Sequence, residues 1–431
     1  MSLAAVVGVL AFALGVMASI ALHEVGHLVP AKRFGVKVTQ YMVGFGSTVW
    51  SRRRGETEYG IKAIPLGGYI RMIGMFPPKR NAQGELVLSA STTGPFQSMV
   101  EDARRTSAAE VEPGDETRVF YRLPVRQKLV VMLGGPTMNL LIAAVLFGVA
   151  LSVLGVPRPT PTVAQVVPCI PASVTAECTA ADSASPASAA GLQEGDVVVA
   201  VDGAPVDDWP ALQQTVRDAA GERVVVTVER DGQQVELPVR IAVTERPGLD
   251  DPDAVVTAGY LGMVPAIQQE RQPLASVPGA MGGFAAASGK AVLSIPSKMV
   301  GVWQAAFGGE QRDPTGPVSV VGAGRFGVEV ATDDAGLSWR VSNFLILLAS
   351  LNMALFLFNL VPLLPLDGGH VAGALYEGAR RGIARRRHRP DPGPVDVARM
   401  LPVAYGVAIT LIGMSGLLIY ADVVNPIRLG G

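Results

Sequence analysis

The sequence predicts a polytopic α-helical membrane protein with about four transmembrane helices, a membrane-associated β-hairpin region and one α+β domain outside the membrane. Three observations predict this fold class. The 431-residue chain is 49% hydrophobic and 17% charged, whereas soluble domains contain about 25% charged residues. Four runs without a charged residue are long enough to cross a bilayer, which takes about 20 residues. Between the second and third runs, strand-type segments joined by Asp-Gly turns indicate a folded module.

The four uncharged runs define the predicted spans. They cover residues 3–22, 129–156, 344–366 and 401–420. The first run could instead be a cleaved signal peptide, but basic residues follow it and none precedes it, which favours a retained helix. We therefore expect the membrane segments to occupy 1–30, 129–156, 343–366 and 401–424.

Basic residues predict the orientation of these spans, because Lys and Arg accumulate in cytoplasmic loops. Segment 32–128 is rich in Arg and Lys, and segment 376–400 is rich in Arg. The two segments fall on one side if all four runs cross the membrane. Both termini and segment 157–342 then lie on the extracytoplasmic side.

The connecting segments carry weaker signals. Residues 41–73 alternate strand-type side chains with glycines, which predicts short hairpins that dip toward the membrane within a 31–128 region. The polar stretch 81–114 is typical of a solvated loop. Residues 245–342 are expected to link the outside module to the third span, with either interfacial helices or a loop over 278–307. Residues 367–400 are expected to form a basic loop.

The outside module, predicted at 162–244, has a readable strand order. The segment ASAAGLQEGDVVVAVDGAPV at 187–206 predicts a strand that ends in an Asp-Gly turn, and a helix and two further strands follow it. This pattern resembles a PDZ domain of the bacterial protease-associated type. The resemblance implies a groove that accepts an extended peptide as an added strand, and a structural spacer is the alternative. Cys169 and Cys178, at its start, could form a disulfide outside the cytoplasm or remain two buried thiols.

The stretch HEVGH, residues 23–27, directly follows the first uncharged run. It contains two histidines and a glutamate, which are rare in membrane helices. On a helix, His23 and His27 lie one turn apart on the same face, so both imidazoles can reach one zinc ion. Glu24 can take a proton from water at that ion. Polar groups at this depth cost several kcal/mol unless they are paired or bind something. A satisfied interior histidine pair is the alternative.

A catalytic zinc ion keeps three protein ligands and one open position. The candidates for the third ligand are Asp367 and His370, in the segment FNLVPLLPLDGGH. The first and third spans both run from outside to inside, so this segment arrives at the same membrane depth as HEVGH. Spacing alone does not separate the two candidates.

HEVGH in the first span, a distal N…P…DG segment and an outside PDZ domain together resemble the site-2 proteases. These are zinc intramembrane metalloproteases, and the most similar branch is the bacterial PDZ-bearing enzymes that cleave anti-sigma factors. The resemblance implies that His23, His27 and Asp367 bind zinc and that Glu24 is the general base. Pro365–Leu366 replaces the Asn-Pro of many relatives, which leaves the backbone geometry before Asp367 open.

The resemblance also implies a set of substrate-positioning or oxyanion-stabilising residues. Gly44, Phe45 and Gly46 resemble a membrane-associated β element beside the substrate. Asn139, in GGPTMN, belongs to a helix that packs on the active site, and Asn359 would hold substrate or stabilise the oxyanion.

The predicted function is regulated intramembrane proteolysis in the bacterial inner membrane, with the active site toward the cytoplasm. The expected cofactor is one Zn²⁺ ion. Expected partners are single-span membrane proteins such as anti-sigma factors already cut by another protease, an extended peptide at the PDZ domain, and the lipid bilayer. The net charge of −1 gives no reason to expect nucleic acid. A catalytically inactive membrane PDZ scaffold is the main alternative, and a secreted soluble zincin would leave three spans unexplained.

Overall fold

The computed structural model describes residues 3–78, 95–170, 178, 182–249, 255–309, 316–319, 321–322, 324–325, 328, 336–364 and 366–425. The chain divides into two compact units, one of Met1–Leu154 with Gln272–Gly431 and one of Gly155–Arg271. The helices are, in chain order, α1 (Leu3–Arg33), α2 (Pro95–Ala109), α3 (Val125–Gly148), α4 (Pro186–Ala189), α5 (Trp209–Asp218), α6 (Val277–Phe307), α7 (Leu337–Asn359), α8 (Asp367–Arg386) and α9 (Leu401–Val424). The strands are β1 (Val38–Arg54), β2 (Thr57–Met72), β3 (Val156–Val166), β4 (Val197–Val201), β5 (Ala204–Pro205), β6 (Arg223–Arg230), β7 (Gln233–Arg240), β8 (Ala242–Pro247), β9 (Val255–Tyr260) and β10 (Met263–Glu270).

Four helices of the first unit, α1, α3, α7 and α9, are long and apolar enough to cross a membrane, as predicted. Three of them differ from the predicted spans. The α1 helix continues to Arg33, three residues past 30, and α7 begins at Leu337, six residues before 343. The α3 helix ends at Gly148, and a π-helix continues it to Leu154 rather than 156. The α7 helix ends at Asn359 rather than at 366, because the residue before Pro362 is disfavoured in helical conformation. The α3 helix begins at Val125, four residues early. It accommodates the charge of Lys128 because Glu377 pairs with that ammonium group at 2.8 Å, with both side chains buried.

Two segments expected to be loops contain helices. Residues 367–386 form α8, which begins with an acidic residue and ends with Arg385 and Arg386, as the helix dipole favours. Residues 95–109 of the predicted solvated loop form α2, where Arg104 pairs with Asp396. The rest of that predicted loop up to residue 94 lies outside the described residues.

The region after α1 is one long antiparallel hairpin, β1–β2, rather than several short ones. Its register shifts repeatedly, and Gly44 and Gly46 have φ values of +94° and +84°, which side chains rarely tolerate. The hairpin is fixed to α1 by the Tyr41 hydroxyl, which donates to the carbonyl oxygen of Ala21 at 2.8 Å. Burial raises the pKa of Tyr41 to about 12, so the hydroxyl remains a donor.

The second unit is built on a sheet in the order β10-β3-β4-β6-β7, with β5 beside β4 and a separate β8–β9 pair. Its core contains Val163, Val198, Leu212, Val226 and Ile241. The unit is longer than the predicted 162–244 module, because β10 returns to pair with β3 and makes part of the predicted linker a sheet strand. Cys169 and Cys178 form a disulfide in this unit.

Candidate active site

The HEVGH helix meets α3 at unusually short range. Gly26 of α1 and Gly134 of α3 contact each other through backbone atoms, and a Cβ on either residue would overlap the carbonyl of the other. Glycine permits this approach because it carries no side chain. The contact turns the face that carries His23 and His27 toward α3, where His27 is 5% exposed.

Asp367 reaches the same place through a compact turn that follows α7. The Leu366 amide donates to the carbonyl of Leu363, and the Gly369 amide donates to the carbonyl of Leu366. Gly368 packs so closely on this turn that a Cβ would overlap the carbonyl of Val361. The two glycines thus let α8 begin directly against the turn, which presents Asp367 at the first residue of the helix.

The three candidate ligand atoms form a nearly equilateral triangle. The Nε2 atoms of His23 and His27 are 3.3 Å apart. Asp367 Oδ2 is 3.4 Å from His23 Nε2 and 3.3 Å from His27 Nε2. Zinc bonds to nitrogen and oxygen of about 2.0–2.1 Å in tetrahedral geometry require ligand atoms about 3.3–3.4 Å apart. The residues therefore fit zinc in both donor chemistry and spacing.

His370, the competing third ligand, lines the same cavity but does not belong to the cluster of ligand atoms, which joins only His23, His27 and Asp367 among the described residues. Burial lowers the pKa of His370 to about 4, so this imidazole is neutral.

Both histidines are oriented by groups on α3. His27 Nδ1–H donates to the carbonyl of Val131 at 2.7 Å, which leaves the Nε2 lone pair facing the triangle. The amide of Asn139 lies 3.1 Å from His23 Nδ1. His23 needs a proton on Nδ1 to present the Nε2 lone pair, so Asn139 must offer its oxygen there. Rotating the Asn139 amide by half a turn exchanges its oxygen and nitrogen, which have nearly the same shape. Oδ1 then accepts from His23 Nδ1–H, whereas in the other orientation this buried oxygen has no partner among the described residues.

Glu24 lies beside the triangle, 8% exposed, in a cavity of about 330 Å³. Gly68 of β2 packs against its side chain, so that a Cβ on Gly68 would lie 3.1 Å from Glu24 Cγ. The cavity is lined by His23, Glu24, His27, Gly68, Tyr69, Ile70, Met72, Met75, Met132, Asn359, Asp367 and His370. A carboxylate, three candidate metal ligands and a strand backbone therefore face one small space.

The structure brings some of the other predicted residues to this cavity and leaves others beside it. Asn359 lines it, whereas Asn139 is fully buried behind His23. Gly44, Phe45 and Gly46 are not among the lining residues, but the Phe45 ring stacks on Tyr69 with centroids 6.2 Å apart. The β element thus borders the cavity through one aromatic pair.

Sequence reasoning missed the role of Gly135. A Cβ at this position would lie 2.7 Å from His23 Nε2 and closer still to His27 Nε2. The available signal was a Gly-Gly pair within an apolar span, which is typical of close helix packing. Nothing in the sequence placed Tyr69 and Ile70 at the cavity.

Replacement of the two rival ligands by alanine should separate them. We expect Asp367→Ala to lower zinc content to well under half an ion per chain, because it removes one of three ligand atoms. His370→Ala should keep close to one ion. Metal analysis of both purified variants checks this. Zinc loss in His370→Ala with retention in Asp367→Ala would reverse the assignment.

Four membrane helices and a His-His-Asp triangle beside a glutamate define a membrane-bound zinc metalloprotease. The peptidase family M50 model matches residues 11–390, and the chain belongs to this family, the site-2 proteases. It is 36% identical over 439 residues to the zinc metalloprotease Rip1 of Mycobacterium tuberculosis strain H37Rv, covering 98% of this chain and 99% of that protein. Identity to Rip1 of Mycolicibacterium smegmatis is 37% over 442 residues, with 98% of each chain covered. The metalloprotease MmpA of Caulobacter vibrioides is 28% identical over 406 residues, with 89% of this chain and 88% of that one covered.

These similarities confirm the predicted enzyme class and the zinc cofactor. They agree with the predicted membrane location, which rests on the four apolar helices.

Proposed function

We propose that the chain is an intramembrane endopeptidase in which His23, His27 and Asp367 hold zinc and Glu24 is the general base. The ligand triangle on a spanning helix carries this proposal. Glu24 lies nine residues before Arg33, the last residue of α1, or about 13 Å along a helix. This distance supports a peptide bond cut within the membrane or at its inner boundary.

Substrate access would use the β2 backbone. A transmembrane helix has its amides hydrogen-bonded internally, so it must unwind before water reaches a carbonyl. The Gly68–Ile70 stretch of β2 lines the cavity, and Gly68 packs against the Glu24 side chain. We propose that the unwound segment lies along this stretch as an added strand, with the Phe45–Tyr69 pair beside it.

The chain's own residues would move the protons. Bound zinc supplies a Lewis acid and lowers the pKa of water at the site to about 7. Glu24 takes a proton from the attacking water and gives it to the departing amine nitrogen. Asn359, which lines the cavity, would donate its amide N–H to the developing oxyanion. Asn139 would act through His23 by fixing its ring.

The second unit supports the proposed PDZ-type peptide binding. A groove of about 160 Å³ runs between α5 and the segment that joins β9 to β10. Its lining residues are Trp209, Leu212, Gln213, Val216, Arg217, Arg246, Gly259, Tyr260, Leu261, Gly262 and Met263. Apolar side chains on the helix and a strand backbone opposite suit an extended peptide. We propose that it receives a tail of the substrate.

We propose that the substrates are single-span bacterial membrane proteins already cut by another protease, with anti-sigma factors as the leading class. The proposed orientation places both termini and the second unit outside the cytoplasm and the zinc site toward it, which the Lys- and Arg-rich segments support.

The test is to map the cleaved bond. Purified protein in lipid nanodiscs is incubated with a single-span protein whose apolar segment contains a central Gly-Pro pair, and products are identified by mass spectrometry. We expect a cut inside the apolar segment, and slower cutting when Leu-Leu replaces Gly-Pro because the helix then resists unwinding. Cleavage confined to the soluble flanks would overturn the proposal.

In cells, a trimmed anti-sigma factor should accumulate in the membranes of a Glu24→Gln strain, and its absence would remove that substrate class.

A further inference from the structure

A second cavity, of about 1000 Å³, lies on the far side of α8 from the zinc site and is lined by arginines. We call it the arginine cavity. Its arginines are Arg104, Arg122, Arg380, Arg381 and Arg399, and Asp396 is its lining carboxylate. Ala372, Gly373 and Tyr376 of α8 form one wall, and Pro392–Met400 residues form another. A cavity with five guanidinium groups and one carboxylate suits an anion.

Contacts within the protein neutralise only some of these charges. Arg104 pairs with Asp396 and, at 3.2 Å, with Glu101. Arg381 pairs with Glu377 at 3.1 Å and with Asp391 at 3.4 Å. Arg399 lies 3.6 Å from the Asp396 carboxylate. Arg380 instead donates to the backbone carbonyls of Pro392 and Gly393, which leaves its full charge without a carboxylate among the described residues.

Two of these arginines also keep unused hydrogen-bonding capacity. The Nε atoms of Arg104 and Arg380 are buried and have no hydrogen-bond partner among the described residues. The described residues therefore leave neither guanidinium group fully hydrogen-bonded.

The cavity lies at the end of a membrane span. Met400 lines it, and the spanning segment Val397–Val424 begins at the same turn. Arg122 and Arg399 are both exposed, and Arg399 has 79% of its side chain accessible. Headgroups of anionic lipids occupy this level of a bilayer, and basic pockets between membrane helices bind them.

We infer that the arginine cavity binds the phosphate of an anionic phospholipid headgroup. The guanidinium fork matches phosphate oxygens in a bidentate arrangement, and Arg380 and Arg122, which both line the cavity, would bind the phosphate. Catalysis is not involved, so the inference stands or falls separately from the proposed function.

The test uses the full zinc-loaded chain in a neutral detergent. Short-chain phosphatidylglycerol, short-chain phosphatidylcholine and glycerol 3-phosphate are titrated separately, and binding is followed by native mass spectrometry and by the change in Tm. The variants are Arg380→Gln and, because Arg380 also holds a backbone turn, a double replacement of the exposed pair, Arg122→Gln with Arg399→Gln. The matched control is Arg385→Gln with Arg387→Gln, two exposed arginines at the end of α8 that do not line the cavity.

We expect phosphatidylglycerol to bind saturably, with a Kd that rises about tenfold or more in each cavity variant, since each loses charge-assisted hydrogen bonds. The Kd of the control variant should change by less than about twofold, because it loses only diffuse surface charge. Equal weakening in control and cavity variants would overturn the site, as would an absence of saturable binding. If glycerol 3-phosphate binds as tightly as the lipid, the phosphate site stands and the lipid source is overturned.

Discussion

Replacement of Glu24 by glutamine is expected to abolish proteolysis while zinc remains bound. Glutamine keeps the size of the side chain, but it cannot accept a proton from water. Glu24 is also outside the His23, His27 and Asp367 triangle, so the ligand set is untouched. Loss of a general base typically costs about 10²–10⁴ in rate. Single-turnover cleavage in nanodiscs and zinc per chain, measured on one preparation, check both parts of the expectation.

A suitable control is Glu112→Gln, which removes a carboxylate that is 73% exposed, in an ion pair with Lys37. This variant should cleave at the wild-type rate. Wild-type turnover by Glu24→Gln would remove Glu24 as the base. Loss of zinc from Glu24→Gln would show instead that this carboxylate supports the metal, and the rate could then say nothing about proton transfer.

The membrane helices could be predicted because lipid imposes a local rule. A segment in hydrocarbon must avoid charge along its whole length, so α1 and α9 are readable without knowledge of the rest of the chain. The basic residues also predicted that HEVGH and Asp367 lie on one side of the membrane, and the structure places their side chains within 3.4 Å of each other. Whether two groups at one depth touch depends on helix packing. That packing rests on Gly26 and Gly134, whose backbones meet across 108 positions of sequence.

The parts that sequence reasoning missed depend on partners distant along the chain. Lys128 could enter a spanning helix because Glu377, 249 residues later, supplies its counter-charge. Strand β10 looked like linker because its hydrogen bonds go to β3, about 100 residues earlier. Asn139 was predicted to help position substrate, but it is fully buried and its amide instead lies 3.1 Å from His23 Nδ1. None of these pairings can be inferred from the conformational preferences of neighbouring residues.

Gly135→Ala is expected to remove zinc from the protein without any change in a ligand. The added methyl group would lie 2.7 Å from His23 Nε2 and closer to His27 Nε2, and both atoms belong to the proposed zinc triangle. His27 has little freedom to withdraw, because its Nδ1–H is held by the Val131 carbonyl at 2.7 Å on the same helix as Gly135. Disturbing groups that support metal ligands costs about 10–100-fold in affinity, and direct overlap with two ligands should cost at least that. Competition with a zinc chelator measures it.

Gly148→Ala provides the matched control, because Gly148 lies on the same α3 helix as Gly135. A Cβ at Gly148 would meet only Leu274, at an ordinary contact distance of 3.8 Å. It should bind zinc and cleave substrate as the wild type does. Gly134→Ala adds a second comparison: its Cβ would strike the backbone of Gly26 rather than the imidazoles, so it should lower Tm by separating α1 from α3. If Gly135→Ala binds zinc with wild-type affinity, the imidazoles can move away from α3, and the triangle is not held by the helix contact. Weaker zinc binding in Gly135→Ala, with zinc binding unchanged in Gly148→Ala, would mean that the imidazoles need the space that the absent side chain of Gly135 leaves beside α3.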